Sequence, residues 1–308
     1  MACCQRRHLG PERNGSVGQL LRLILRAASA AARAAGAAGS GWALVAAARA
    51  ASKEAVEIAT KGHAEGSERD SASSDLGPAP HHVAIIMDGN RRYGRMKYGN
   101  SLQGHRAGGE KLREVVEWCI TANIKVLTVF AFSTENWKRD PNEVDALMTL
   151  FLDEVPQLGD LTERLNVRVR FLCSEPERIP AAVRKGMDQV EVRTSACSRL
   201  QLNVCLSYGG RSDIAQACRR LAKEVASGEL RADEIDEQAI TQRLLTCDVP
   251  DPDLLIRTSG EVRLSNFLVF QLAYAEFCFL DKHWPEVTQE DLNVVISDYK
   301  VRHRRFGK

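Results

Sequence analysis

No stretch of this chain reaches the roughly 18 uninterrupted apolar residues of a membrane-crossing helix. Residues 27–51 come nearest, and there Arg33 and Arg49 interrupt a run made mostly of alanine. The nine cysteines show no CxxC spacing and their number is odd. That argues against zinc and for a reducing compartment. Cys119, Cys173, Cys205 and Cys278 lie in apolar runs, where cysteine acts as a small hydrophobe. Net charge is nearly absent, with 42 Lys/Arg against 40 Asp/Glu. Beyond residue 80 the balance is 32 against 33, which argues against a protein that coats nucleic acid. Anion binding therefore falls to local arginine clusters. Walker A and GxGxxG sequences are missing, so the common nucleotide-cradling loops are excluded. There is no internal repeat.

What is present divides into three parts. Residues 1–50 carry seven arginines, no lysine and a single acid, Glu12, in an alanine-rich setting. This is the composition of an organelle transit peptide, with a plastid expected ahead of a mitochondrion. The alternative location is the cytosol or the endoplasmic reticulum surface. Residues 51–80 read as a flexible linker, and 81–308 as one folded domain. With 44% hydrophobic and 27% charged residues in 308, a sizeable core is within reach.

From His81 onward apolar β-branched runs alternate with amphipathic segments. Strands are expected at 82–87, 124–132, 166–173, 200–207, 253–257 and 277–280. Helices are expected at 106–122, 141–158, 180–196, 211–227, 236–246, 266–274 and 288–305. The alternation implies an α/β domain, a central, mostly parallel six-stranded sheet flanked by helices. In such sheets ligands bind outside the carboxyl ends of the strands. Polar clusters fall at those ends: Asp88-Gly89-Asn90-Arg91-Arg92, Ser133 to Arg139, Tyr208 to Asp213, and Arg257 to Glu261 followed by Arg263-Leu264-Ser265-Asn266. Gly104-His105 sets an imidazole at a helix start. Any one cluster could be turn and cap chemistry. Several together, rich in arginine forks suited to diphosphate and with a carboxylate able to hold a metal, point to a metal-diphosphate site.

The segments HVAIIMDGNRR, GHRAGGEKL, VFAFSTENWKR, LNVCLSYGGRSDI, LLIRTSGEVRLSNFLVFQLAYAEF and RRFG occur in this order. By them the chain resembles the cis-prenyltransferases, the undecaprenyl and polyprenyl diphosphate synthases, over residues 82–307. The resemblance implies repeated condensation of isopentenyl diphosphate onto an allylic diphosphate such as farnesyl diphosphate, with magnesium required. It implies that Asp88 holds magnesium, with Glu276 as a second ligand. Gly89, Asn90, Arg91, Arg92 and Tyr93 form the allylic phosphate loop, and His105 and Asn136 assist binding and proton or diphosphate handling. Ser133 stands near the isopentenyl site. Trp137, Arg139 and Glu143 order a loop over the substrate, and Arg257, Arg263 and Ser265 grip isopentenyl diphosphate.

Arg305 and Gly307 would reach across a homodimer into the partner's site. An apolar product tunnel is implied, walled by helices at 112–122 and 144–155 with Leu200 at its floor, and peripheral membrane contact would serve product release. The chain departs from the family pattern at Ser101, where an arginine is usual, with Arg95, Lys97 or Arg106 as compensating candidates. It departs also at Arg91, Tyr93 and Glu286. The alternative readings are a non-catalytic partner subunit of the same family and a phosphate-ester hydrolase using Asp88. The first conflicts with the retained charges Asp88, Asn136, Arg257 and Glu276. The second lacks a neighbouring acidic cluster.

Overall fold

The computed structural model describes residues 77–301. The leader at 1–50, nearly all of the linker, and the tail with Arg305 and Gly307 lie outside the described residues.

Six strands form one sheet: β1 (His82–Ile86), β2 (Val126–Ser133), β3 (Val167–Leu172), β4 (Leu200–Tyr208), β5 (Leu254–Arg257) and β6 (Glu276–Phe279). Their order is β3-β4-β2-β1-β5-β6, and every pairing is parallel, so the sheet is wholly rather than mostly parallel. Parallel sheets need cover on both faces, which explains why β1 is buried at every residue and reads as a continuous apolar run. The helices are α1 (Asn90–Tyr98), α2 (Ser101–Thr121), α3 (Pro141–Arg164), α4 (Ala181–Thr194), α5 (Gly210–Ser227), α6 (Glu237–Thr241) and α7 (Gln289–Val301). A large core beneath one face unites Val83, Ile85, Val116, Leu127, Leu147, Leu202 and Trp284. A smaller one on the other face joins Ala84, Ile86, Tyr208, Leu255 and Phe267. Cys119 and Cys205 are fully buried within these cores, and burial pushes the Cys119 thiol up to about 12. No described helix is long and apolar enough to cross a membrane.

Local chemistry sets the helix starts. Asn100 caps α2 by accepting from the Leu102 amide at 2.8 Å. Asp140 caps α3 by accepting from the Asn142 amide at 2.9 Å, with Pro141 in the first turn. α3 runs through Pro156 to Arg164, six residues beyond its expected end, because Leu158, Gly159 and Thr162 are buried beyond the proline.

Three expectations fail in whole or in part, the helix expected at 236–246 being formed only over Glu237–Thr241. Residues 90–98 carry no expected helix and Asn90–Arg92 are read as a loop, yet α1 forms there, closed by Gly99 in the left-handed region. The helix expected at 266–274 is instead a series of turns. Ser265, Asn266 and Leu268 have φ of 50°, 64° and 42°, which a right-handed helix excludes. The apolar spacing that suggests a helix there reflects Phe267, Leu268 and Leu272 entering the smaller core.

The chain leaves β1 toward β2 on one side and later returns to place β5 on the other. β1 is thus the topological switch, and a crevice is expected outside its carboxyl end.

Candidate active site

Asp88 stands two residues beyond β1, and Arg257 ends β5 beside it. Gly89 between β1 and α1 has φ of 101°, and a Cβ there would fall 2.6 Å from Ser259 Oγ and 2.8 Å from His283 Nδ1. Only glycine admits this tight turn, which delivers the amino end of α1 to the crevice. Asn90, Arg91 and Arg92 occupy that first turn.

These residues line a polar pocket of about 520 Å³. Among the described residues, Asp88 is its one acid, against the six arginines Arg91, Arg92, Arg95, Arg139, Arg257 and Arg263, with His105, Ser133, Asn136 and Ser265 among the others. Asp88 Oδ1 accepts from the Gly89 amide at 2.7 Å, and Oδ2 accepts from Arg257 at 2.8 Å. Arg92 lies 3.5 Å from Oδ1. Burial alone would raise the Asp88 carboxyl, but the Arg257 bond and charge, the Gly89 amide and Arg92 hold it below the ordinary carboxylate value. Arg257 is 3% exposed and also donates to the Arg263 carbonyl and, at 2.8 Å, to Ser265 Oγ.

Burial, reinforced by the charges of Arg139 and Arg91, pushes the His105 imidazole down to about 4, so it is neutral near pH 7. Arg139 is itself lowered by burial, against the opposing pull of Glu143. Glu143 pairs at 3.3 Å with both Arg91 and Arg139. It therefore aligns two pocket arginines without lining the pocket.

Among the described residues, the buried side-chain polar atoms without a hydrogen-bond partner are Asn90 Oδ1, Arg91 Nε, His105 Nε2 and Arg257 Nε. All four residues line this one pocket. Buried polar atoms are normally satisfied, so the set marks a place built for a polar ligand.

Other expected residues shape the pocket through contacts within the protein. Asn136 Oδ1 accepts from the Ser133 amide at 3.1 Å, fixing the turn after β2. Trp137 donates to Ser207 Oγ at 2.8 Å and meets Phe132 edge-on. Tyr93 is buried under α1 and accepts from Lys97 at 2.7 Å.

Glu276 is not brought to Asp88. It opens β6, in register with Leu254 and so with Val83. Asp88 lies five residues further along, roughly 16 Å at the rise of a strand. Glu276 is the first residue of β6 and Asp88 follows the last residue of β1, so within one chain the two expected magnesium ligands stand toward opposite ends of the sheet.

Asn266, named from the sequence as the end of a polar cluster, and Arg95, named as a candidate to compensate for Ser101, both take part in building the site. Asn266 accepts from the Arg211 amide at 2.9 Å through Oδ1. Its carboxamide donates to Glu135 at 2.8 Å, and its carbonyl accepts from the Gly210 amide at 2.7 Å. Three strand-end loops are thereby fastened together. Arg95 lines the pocket and donates through Nε to Ser101 Oγ at 3.0 Å.

An apolar cavity of about 100 Å³ adjoins the polar pocket and shares Met87, Asn90, His105, Ala131, Leu147 and Phe151 with it. Leu112, Leu150, Val155, Leu158, Val204 and Leu206 complete much of its wall. Of the stretch 112–122 only Leu112 and Arg113 line this cavity, while α3 contributes Leu147, Leu150, Phe151, Glu154, Val155 and Leu158; Leu200, at the amino end of β4, is closed in the core and does not line it.

Among the described residues, no cluster of three or more His, Cys, Asp or Glu could hold a metal alone. The donor set fits magnesium nonetheless. That ion is commonly held by one or two carboxylates together with water and substrate phosphates. A carboxylate offers about four lone-pair positions, and Asp88 commits only part of them to Gly89 and Arg257.

Residues 86–307 match the family model described as putative undecaprenyl diphosphate synthase. The chain is 45% identical over 234 residues to a tritrans,polycis-undecaprenyl-diphosphate synthase (geranylgeranyl-diphosphate specific) of Thermococcus kodakarensis, covering 75% of this chain and 88% of that protein. It is 45% identical over 228 residues to a ditrans,polycis-undecaprenyl-diphosphate synthase ((2E,6E)-farnesyl-diphosphate specific) of Xanthomonas axonopodis pv. citri, covering 74% and 88%. The crystal structure of lavandulyl diphosphate synthase from Lavandula x intermedia, in complex with dimethylallyl diphosphate, superposes with a TM-score of 0.71. It is 34% identical and covers 75% of this chain and 99% of that one.

Proposed function

The chain belongs to the undecaprenyl diphosphate synthase family of cis-prenyltransferases, and from that premise we propose that it extends an allylic diphosphate with isopentenyl diphosphate. Each cycle breaks the allylic carbon–oxygen bond, releases diphosphate, forms one carbon–carbon bond to the isopentenyl unit, and gives up one proton as a cis double bond is made. Farnesyl diphosphate is the primer we assign first, with geranylgeranyl diphosphate as its rival, since relatives of equal identity carry one or the other in their names.

The observation that carries this reading is the joining of two unlike spaces. A pocket holding six arginines and, among the described residues, all the unpartnered buried side-chain polar atoms opens beside an apolar cavity. That pair suits a molecule with a diphosphate head and a hydrocarbon tail. The amino end of α1, with Arg91 and Arg92, receives the charge that builds on the departing diphosphate. Arg257, Arg263 and Ser265 hold the second diphosphate, on the opposite side of Asp88. Magnesium bound through Asp88 supplies additional charge neutralisation on phosphate oxygens. His105, kept neutral, offers Nε2 as a hydrogen-bonding atom rather than as a cation.

Reverse-phase analysis of products from labelled isopentenyl diphosphate, with each primer in turn, tests the proposal. Chains longer than the primer, with diphosphate released in step, are expected. Orthophosphate release without elongation would overturn it. Asp88→Asn keeps the size of the side chain but removes its charge, and turnover should fall at least about 100-fold while the far-ultraviolet spectrum is retained.

A further inference from the structure

Among the residues lining the apolar cavity, two form an ion pair across it. Arg113 on α2 pairs with Glu154 on α3 through Nη2 and Oε2, and the same guanidinium donates to Gln157 at 3.2 Å. Their side chains are 24% and 18% exposed, so the pair touches solvent on one side and the cavity on the other. Burial outweighs Arg113 and raises the Glu154 carboxyl. An ion pair beside an otherwise apolar space is costly to desolvate and asks for a reason.

The reason lies in lengths and volumes. A cavity of about 100 Å³ is small, given that an engineered apolar cavity of about 150 Å³ takes one benzene. A prenyl tail of three units cannot enter unless its walls part. Arg113 is eight residues beyond His105 on α2, or about 12 Å deeper. A peptide residue spans roughly 3.5 Å over three chain bonds, so a four-bond isoprene unit spans about 4.5 Å. The far end of a farnesyl tail therefore arrives at the level of the pair, and each added unit has to pass it. Pro156, two residues beyond Glu154, cannot donate to the Leu152 carbonyl, so α3 is weakest just where the pair holds it.

We infer that Arg113 and Glu154 form a tie between α2 and α3 that limits how far the cavity opens and thereby sets product length. This rests on the cis-prenyl elongation proposed above. With the tie in place, strain rises once the tail passes it, and elongation gives way to release. Neither side chain touches the reacting atoms.

The experiment compares product lengths of the full chain, using farnesyl diphosphate and labelled isopentenyl diphosphate, in four proteins. These are the wild type, Glu154→Gln, Arg113→Gln, and the exchange Arg113→Glu with Glu154→Arg. Both single variants should move the distribution upward by at least one isoprene unit, and the exchange should return it toward the wild-type length. The exchange guards against a merely structural effect, since lost volume or general loosening would not be repaired by reversed charges. Unchanged lengths in folded Glu154→Gln, or an exchange that behaves like the single variants, would overturn the tie. If the wild type elongates nothing, it is the elongation reading that fails.

Discussion

At the scale of single residues, the site was legible where charge sits at a strand end. Asp88, Arg257, Arg263 and Ser265 meet in one pocket because polar residues following parallel strands have nowhere else to point. Glu276 shows the limit of that rule. It is the first residue of a strand whereas Asp88 follows the last residue of one, and sequence proximity alone does not say which end of the sheet a side chain occupies. Ser101 was read as a missing phosphate contact. The structure gives it a different task, because its hydroxyl holds Arg95, which reaches the pocket from the last turn of α1. Lys97 is engaged with Tyr93 and Arg106 does not line the pocket, so of the three candidate cations Arg95 is the one that lines it. Arg95→Ala should raise the KM for the allylic diphosphate about tenfold, the worth of one charge-assisted bond of about 1.4 kcal/mol. Ser101→Ala should raise it less. Ser101→Arg should bring no gain, since it removes the acceptor of Arg95 and crowds a second cation against it. Initial-rate measurements decide the matter. An unchanged KM in Arg95→Ala, or a lowered one in Ser101→Arg, would show that Arg95 does not meet the diphosphate.

At the scale of elements, the strands were readable because runs such as Val83–Ile86 are buried on both faces and carry no periodicity to confuse them. The misread segments are those in which tertiary contacts override local pattern. α1 is amphipathic but poor in apolar residues and is held by packing against α2 and by its end glycine, while 266–274 has helical spacing but left-handed backbone at Ser265, Asn266 and Leu268. The β1–α1 turn is where element geometry and site geometry coincide, and two glycines separate the contributions. Gly99 has φ of 65° with nothing within 4 Å of a built Cβ, so Gly99→Ala bears only a conformational cost of about 1–2 kcal/mol. Gly89 has φ of 101° and would also drive its Cβ against Ser259 and His283, adding an overpacking cost of about 1–3 kcal/mol. Urea unfolding should therefore show a larger stability loss for Gly89→Ala than for Gly99→Ala, and activity should collapse only in the former. Equal losses would mean that the turn yields easily and does not fix Asp88 against Arg257.

At the scale of the whole molecule, two buried imidazoles link the fold to pH. His82, at 0% exposure, donates from Nδ1 to the Pro250 carbonyl at 2.6 Å and accepts at Nε2 from Thr128 Oγ1 at 2.7 Å. Thr128 accepts in turn from Asn203, Asn203 from Gln201, and Gln201 also donates to Asp248, which pairs with Arg170. The chain of polar contacts crosses β1, β2, β4 and β3, and burial keeps His82 neutral within it. Burial pushes His82 down to about 4, as it does His105 in the active site. A folded value below the unfolded one of 6.5 means that the unfolded chain takes up protons first. The stabilising contribution of each imidazole is complete above pH 6.5 and is lost as pH falls toward 4. Between pH 7.5 and 5.0 the loss is about 2 kcal/mol for each, before offsets. Asp213 and Glu154, both raised by burial, work in the opposite direction and return part of it as they protonate in the fold. Thermal and urea unfolding should therefore show stability falling across this range, with His82→Gln shallower than the wild type by about half. The two histidines stand at opposite ends of β1, one in a structural network and the other beside the diphosphate pocket. Residual slope in His82→Gln thus reports His105 and should disappear when a diphosphate ligand fills the pocket and changes the surroundings of Nε2. A melting temperature that stays level or rises from pH 7.5 to 5.0 would show that the imidazoles are already charged in the fold, and a neutral His105 would no longer be part of the site.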